Sequence, residues 1–268
     1  MAVLEWDKVG EKIYESGINK AVFYKEDNKG VPWNGLTSLE YGYNDSVEEV
    51  YYDGVKFNDL VTLGAFSARL SAFTYPDEFL EYEGTRPDAS GYYVTGQPKK
   101  LFGLSYQTLI GDDINGTHAG YKIHVLYNLT AIPAERSYET LSLSPEPTDF
   151  EWDITSIPEP VDFYRPTSHI IFDSRKFDPY LMIEIESMLY GTETSDAFLP
   201  SLQGITNFIK NWGAFVVTDH GDGTWTAYAA PDQTDHIIEM TDSESFEITT
   251  DLAVYLDAVT YQISSSED

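Results

Sequence analysis

The feature that most constrains this chain is a period-two alternation of apolar side chains. In Tyr121–Thr130 (YKIHVLYNLT), residues Tyr121, Ile123, Val125, Tyr127 and Leu129 fall on one face of an extended backbone. Phe66, Ala68, Leu70 and Ala72 do the same within Phe66–Thr74, and Phe150, Trp152 and Ile154 alternate with Glu151 and Asp153. Lys20–Lys25 and Leu101–Ile110 are further strand-type runs. Alternation over so much of the chain predicts a mainly β fold, with sheets that bury one face and leave the other wet or against a neighbour.

Helical signals are few. Tyr75–Tyr82 (YPDEFLEY) has an early proline and acids in its first turn, and Gly84 stops it. Residues 156–167 carry Pro158, Pro160 and Pro166 and read as a connector. A strand at His169–Phe172 follows. Then Asp178-Pro179 opens a helix as N-cap and first position, with Leu181, Ile185, Met188 and Leu189 as its apolar stripe and Gly191 as its stop. A second helix is expected over Ser201–Trp212. The pattern then returns to strands at 214–218, 224–229, 237–240, 246–249 and 259–263.

Charge separates the two ends. The chain carries 45 acids against 16 bases, a net charge of −29. Residues 201–268 hold 12 acids and a single base, Lys210, which marks the C-terminal part as a separate unit. Such acidity excludes a basic groove for nucleic acid, since phosphate binding needs clustered Lys and Arg. It also disfavours anionic lipid surfaces. The aromatic content of 15% argues against disorder. No apolar run is long enough to span a bilayer, and the first residues do not read as a secretory signal, so no membrane partner is expected. On that basis the sequons at Asn44, Asn115 and Asn128 read as chance.

Recognisable catalytic chemistry is missing. With no cysteine there is no disulfide, thiolate metal site or cysteine nucleophile. The histidines at 118, 124, 169, 220 and 236 form no metal-ligand spacing. Gly103-Leu-Ser105-Tyr-Gln107 resembles a nucleophile elbow without its second glycine and lies inside a strand pattern. Ser105 therefore reads as a strand position facing solvent. In Asp219-His-Gly-Asp222-Gly223 the acids are three apart and the twelfth position is Ala230, so a hairpin turn fits better than a calcium loop. No phosphate-binding glycine loop occurs. The sequence predicts no enzymatic activity, no metal and no cofactor.

Trp6–Lys20 (WDKVGEKIYESGINK), Gly30–Thr37 (GVPWNGLT), Ala72–Phe79 (AFTYPDEF), Phe102–Gly111 (FGLSYQTLIG) and Gly120–Tyr127 (GYKIHVLY) form a series along the chain. Pro166–Ser174 (PTSHIIFDS), Met188–Glu193 (MLYGTE) and Asp222–Thr226 (DGTWT) continue it. Taken in order, these segments resemble the major tail proteins (tail tube proteins) of long-tailed bacteriophages, especially those of actinobacterial hosts. Tyr41–Lys56 is the least similar stretch, shorter and more acidic than the pattern.

The resemblance implies a tail-tube-type β-sandwich with a flanking short helix and a long inter-ring loop, over residues 1–165. A small α+β C-terminal module, 166–268, would sit on the tube exterior. It implies a structural virion protein whose hexameric rings stack into a tube, with an inner sheet lining the channel. The implied partners are other copies of the chain, the tape measure protein, the tail terminator and tail-tip proteins, and double-stranded DNA passing through without specific binding. The implied location is the virion tail, after assembly in the host cytoplasm. The segment Glu40–Asp59 would be the inter-ring loop, with Tyr41, Tyr43, Tyr51 and Tyr52 as contact residues. A carbohydrate-binding or carbohydrate-active β-sandwich, or another virion structural protein such as a capsid decoration protein, is the alternative.

Overall fold

The computed structural model describes residues 5–62, 64–88, 90–138, 140, 148–210 and 212, together with the backbone of four later strands. It divides into two compact units, Met1–Gln203 and Gly204–Asp268.

The first unit is built on one antiparallel sheet. Its early strands are β1 (Tyr14–Tyr24), β2 (Gly30–Pro32), β3 (Leu36–Tyr43), β4 (Ser46–Tyr52), β5 (Val55–Thr62) and β6 (Phe66–Ala72). A 3-10 turn at Asp77–Phe79 runs into the single-turn helix α1 (Leu80–Glu83), closed by Gly84 in the left-handed region at φ 92°. Then come β7 (Arg86–Pro87), β8 (Tyr93–Val94), β9 (Phe102–Asp112), β10 (Gly116–Pro133), β11 (Phe150–Ser156), β12 (Glu159–Val161), β13 (Tyr164–Thr167), β14 (His169–Asp173) and helix α2 (Pro179–Tyr190). The sheet order is β2-β1-β9-β10-β11-β6-β3, with β14 also pairing with β10. The expected connector at 156–167 is mostly the small β12–β13 hairpin.

β10 is the pivot. Its first half pairs with β9 on one side and β14 on the other, while Leu129–Pro133 pairs with β11. The register with β9 shifts between Leu126 and Leu129, where Asn128 takes a positive φ of 52°. That irregularity overturns part of the sequence expectation. Ile123, Val125 and Tyr127 share a face as expected, but Leu129 turns to the opposite face and joins Leu126 in the main core.

The sheet thereby folds over on itself, and both halves feed one core. Phe23, Leu104 and Leu126 from one half meet Leu70, Trp152 and Ile154 from the other. The 3-10 turn and α1 add Phe79 and Tyr82. Phe79 packs edge-on against Phe23 at 5.3 Å and against Trp152 at 5.4 Å. Most of β9 and the Ile123–Tyr127 stretch of β10 are buried on both faces, so there the second face lies against a neighbouring element and is not wet. The face opposite the core meets α2: Tyr24 Oη donates to the Leu189 carbonyl at 2.7 Å. Asp178 caps α2 as the sequence predicts, its Oδ1 accepting from the Tyr180 and Leu181 amides.

Helix α3 (Leu202–Lys210) runs across the division between units. The second unit carries a four-stranded antiparallel sheet, β15 (Phe215–Asp219), β16 (Trp225–Ala229), β17 (Asp235–Met240) and β18 (Phe246–Ile248), in sequential order. The Asp219–Gly223 turn, apart from Asp219, and the strand expected at 259–263 lie outside the described residues. The boundary expected at 165/166 does not coincide with the observed division. β14 hydrogen-bonds along β10 from Lys122 to Leu126, and α2 meets Tyr24, so residues 169–190 belong to the first unit.

Candidate functional site

The segment expected as an inter-ring loop is not irregular. β4 and β5 form a two-stranded hairpin, turning at Asp53-Gly54, both with positive φ. Its strands pair with each other and with nothing else among the described residues. Nearly every residue of both strands is exposed. The hairpin carries Val47, Tyr51, Tyr52, Val55, Phe57, Leu60 and Val61, all more than half exposed. Its polar contacts are internal: Lys56 bridges Glu49 at 2.8 Å and Asp59 at 2.7 Å, and Tyr51 Oη donates to Glu49 at 2.6 Å. These contacts lower the Glu49 carboxyl affinity for protons, the Lys56 contact foremost, and raise that of Tyr51.

The four predicted tyrosines separate into two pairs. Tyr51 and Tyr52 lie at the hairpin tip, 60% and 71% exposed. Tyr41 and Tyr43 lie at its root on β3, where they pack on the body of the subunit. Tyr41 stacks on Phe66 with ring centroids 5.6 Å apart and meets His169 edge-on at 5.1 Å. Tyr43 meets Phe66 edge-on at 5.9 Å, and its hydroxyl lies 3.3 Å from His169 Nδ1.

A second surface is the outer face of the β11-β6-β3 half of the sheet. Registry puts Glu40, Arg69 and Asp153 in one row across three strands, and Arg69 donates to Asp153 at 3.2 Å. Glu151, Thr155, Ser67 and Gly42 complete a polar face with short side chains. Alternation in β11 predicts the position of Glu151 and Asp153. The pairing of β3 with β6, which brings Glu40 to Arg69, has no local sequence signal.

Ser105 is not the solvent-facing position expected from sequence. It is fully buried in β9, 3.0 Å from the Tyr24 hydroxyl, because α2 closes over that face. Burial pushes the Tyr24 hydroxyl far above the usual tyrosine range. Among the described residues, no cluster of three or more His, Cys, Asp and Glu is arranged to hold a metal ion.

No protein-family model matches the chain, and no curated protein does either. Among solved structures it is similar to the cryo-EM structure of the anti-feeding prophage baseplate, at 8% identity and a TM-score of 0.30, over 63% of this chain and 97% of the other. It is also similar to the sheath-tube complex of an extracellular contractile injection system in its extended state. That match has 14% identity and a TM-score of 0.30, over 57% and 88% of the two chains. The anti-feeding prophage tube-terminating cap matches at 10% and 0.29, over 65% and 96%. Likenesses this loose assign no function. What the structure itself defines is a mainly antiparallel β fold with a flanking helix, a projecting apolar hairpin and a polar sheet face exposed among the described residues.

Proposed function

We propose that this protein is a structural subunit of a phage-type tail tube, the major tail protein of a long-tailed phage, assembling with copies of itself into stacked hexameric rings. The observation that carries this reading is the β4–β5 hairpin. A paired strand couple with seven large apolar side chains exposed on both faces has no burial within its own subunit, and exposed apolar surface of this extent marks a contact site. Its occupant is a second copy of the chain in the adjacent ring, with Tyr51 and Tyr52 as anchors. The order of the sequence segments, the flanking helix and the β fold support the same reading.

Open strand edges fit a ring. Among the described residues, Tyr14–Asn19 of β1 pairs only with β9, β14 only with β10, and β3 only with β6. Edges left open in a subunit invite edge-to-edge pairing, and a closed ring removes them. The polar face around Glu40, Arg69, Glu151 and Asp153 is the candidate channel lining. Three carboxylates against one guanidinium repel phosphate, so double-stranded DNA would pass without adhering. Tape measure, terminator and tail-tip proteins are the partners this role requires. The acidic second unit would face solvent on the tube exterior. The subunit works by assembly and has no catalytic role.

Sedimentation and negative-stain microscopy of the full-length protein at rising concentration test this. Rings or tubes are expected from the wild type and none from Y51S/Y52S, with the melting temperature of the two nearly equal. A wild type that stays monomeric while binding glycans on an array would overturn the reading in favour of a carbohydrate-binding sandwich. A double variant that melts much lower yet still polymerises would overturn the contact assignment.

A further inference from the structure

Beneath the hairpin root, five strands contribute to one continuous polar chain. Tyr43 Oη on β3 lies 3.3 Å from His169 Nδ1 on β14. His169 Nε2 lies 3.2 Å from His124 Nδ1 on β10. His124 Nε2 lies 3.3 Å from Thr108 Oγ1 on β9 and 3.5 Å from Glu15 Oε1 on β1. Thr108 donates its hydroxyl hydrogen to Glu15 at 2.6 Å, and Glu15 also pairs with Lys122. Both imidazoles are buried, at 3% and 8% exposure. Tyr106 stacks on His124, with centroids 4.6 Å apart and planes 5° from parallel, while Tyr41 and Phe66 close over His169.

The carboxylate end fixes the direction of the chain. Thr108 spends its hydrogen on Glu15, so its oxygen accepts from His124 Nε2–H. His124 Nδ1 must then accept from His169 Nε2–H, and His169 Nδ1 accepts from the Tyr43 hydroxyl. With both rings neutral, each gap holds one proton and no gap is empty. A proton added at His169 Nδ1 turns the Tyr43 hydrogen out of the chain. A second added proton sets two N–H groups against each other across the His–His gap.

We propose that this chain is an acid-released latch: protonation of the His124–His169 pair detaches Tyr43, and with it the root of the β4–β5 hairpin, from the body of the subunit. The inference concerns the isolated subunit and does not depend on what the hairpin contacts.

The surroundings favour neutral rings. Burial lowers the proton affinity of His124, against the opposing pull of Glu15, and Lys122 lowers it further. Burial and the facing His124 hold His169 well below the usual imidazole range. Glu15 is itself kept ionised: burial works against this, but hydrogen bonds from Lys122 and Thr108 outweigh it. The other titratable groups facing the chain are Tyr41, Tyr106, Asp45 beside Tyr43, and Arg175 toward Glu15. The latched state therefore binds fewer protons than the released one at every pH below the ordinary imidazole value of about 6.5. Its advantage is complete above that value and falls as the pH drops, by about tenfold in the release equilibrium per pH unit for each proton taken up.

Backbone hydrogen exchange of the full-length protein between pH 7.5 and 5, corrected for the intrinsic rate, tests the latch. Amides from Tyr41 to Val47 should lose protection below pH 6.5, by about 30-fold at pH 5 for one proton. Amides of α2 should not follow. H124Q/H169Q, which cannot titrate, should show a flat profile in Tyr41–Val47. Equal protection at pH 7.5 and 5 in the wild type, the same slope in the double variant, or an identical loss in α2 would each overturn the proposal. If the double variant does not fold, the wild-type imidazole nitrogen shifts decide. Neutral Nε2–H tautomers for both residues at pH 6 support the latch, and two imidazolium rings in the folded protein refute it.

Discussion

Replacing Arg136 by alanine should destabilise the first unit strongly although the side chain is partly exposed. Its partner is Glu83, which closes α1 with a side chain only 2% exposed. The Glu83 carboxylate accepts from Arg136 Nη2 at 2.5 Å and from Trp152 Nε1 at 2.8 Å, and the Trp152 indole sits in the centre of the core. The Arg136 guanidinium also lies over the Phe150 ring at 5.2 Å and the Tyr75 ring at 5.7 Å. Removing it strands a buried carboxylate, which costs about 3–5 kcal/mol. The lost cation–π contacts add about 0.5–1 kcal/mol each. R136M/E83Q removes both charges, keeps an oxygen for the Trp152 N–H and keeps an aliphatic cover on the rings. Its loss should be about 1–2 kcal/mol, the range for one weakened buried hydrogen bond plus packing changes. The cycle through R136M and E83Q should then show a coupling of about 2–3 kcal/mol. Urea unfolding followed by tryptophan fluorescence reads these differences as shifts of the midpoint, about 1 M or more for R136A at a typical slope. If R136A costs under about 1 kcal/mol, or the double variant is simply the sum of its parts, Glu83 does not depend on Arg136 and the pair is incidental.

Two further outcomes are expected. Asp178→Ala removes the side-chain acceptor for two amides at the start of α2 and should cost about 1 kcal/mol in the same urea assay, with asparagine restoring most of it. Ending the chain at Arg165 should abolish the cooperative fold seen by circular dichroism, because β14 and α2 are lost, whereas ending it at Lys210 should leave the first unit's transition intact.

Much of the fold was legible because it rests on local pattern. The strands around Phe66–Ala72, Phe102–Asp112 and Phe150–Ser156, and the capped helix α2, each announce themselves through alternation, helical spacing or a cap. Four things were not local. Asn128 looks like any polar residue in an alternating run, and only the pairing of β10 with both β9 and β11 makes it the point where the strand changes face. Ser105 looks like the outward member of an alternating pair, and only the return of α2 over β9 buries it. The Glu40–Asp59 segment is acidic and aromatic, which reads as a contact loop. Its hairpin form depends on cross-strand partners such as Val47 with Val61, which composition does not reveal. The His124–His169 contact is the clearest case: two isolated histidines, 45 residues apart, acquire meaning only when β14 lies along β10.

The distribution of polarity in the first unit runs against the usual arrangement at the end of one strand. β3 begins among core residues, with Leu36 and Leu39 packed on the aromatic cluster, and ends at Tyr43, from which an apolar hairpin projects into solvent. Immediately beneath that exit two buried imidazoles lie in series with a half-buried threonine and an exposed carboxylate. A polar chain whose imidazoles are buried adds little stability over a well-packed apolar core, since desolvation offsets most of its electrostatic gain. What it adds is direction, because its hydrogen bonds are satisfied only when Tyr43 holds one position. An apolar anchor at the same place would tolerate many rotations of the hairpin. In the assembly proposed above, a surface that meets a copy of the same chain would need a single angle of projection, and a directional anchor beneath a hydrophobic contact would supply it.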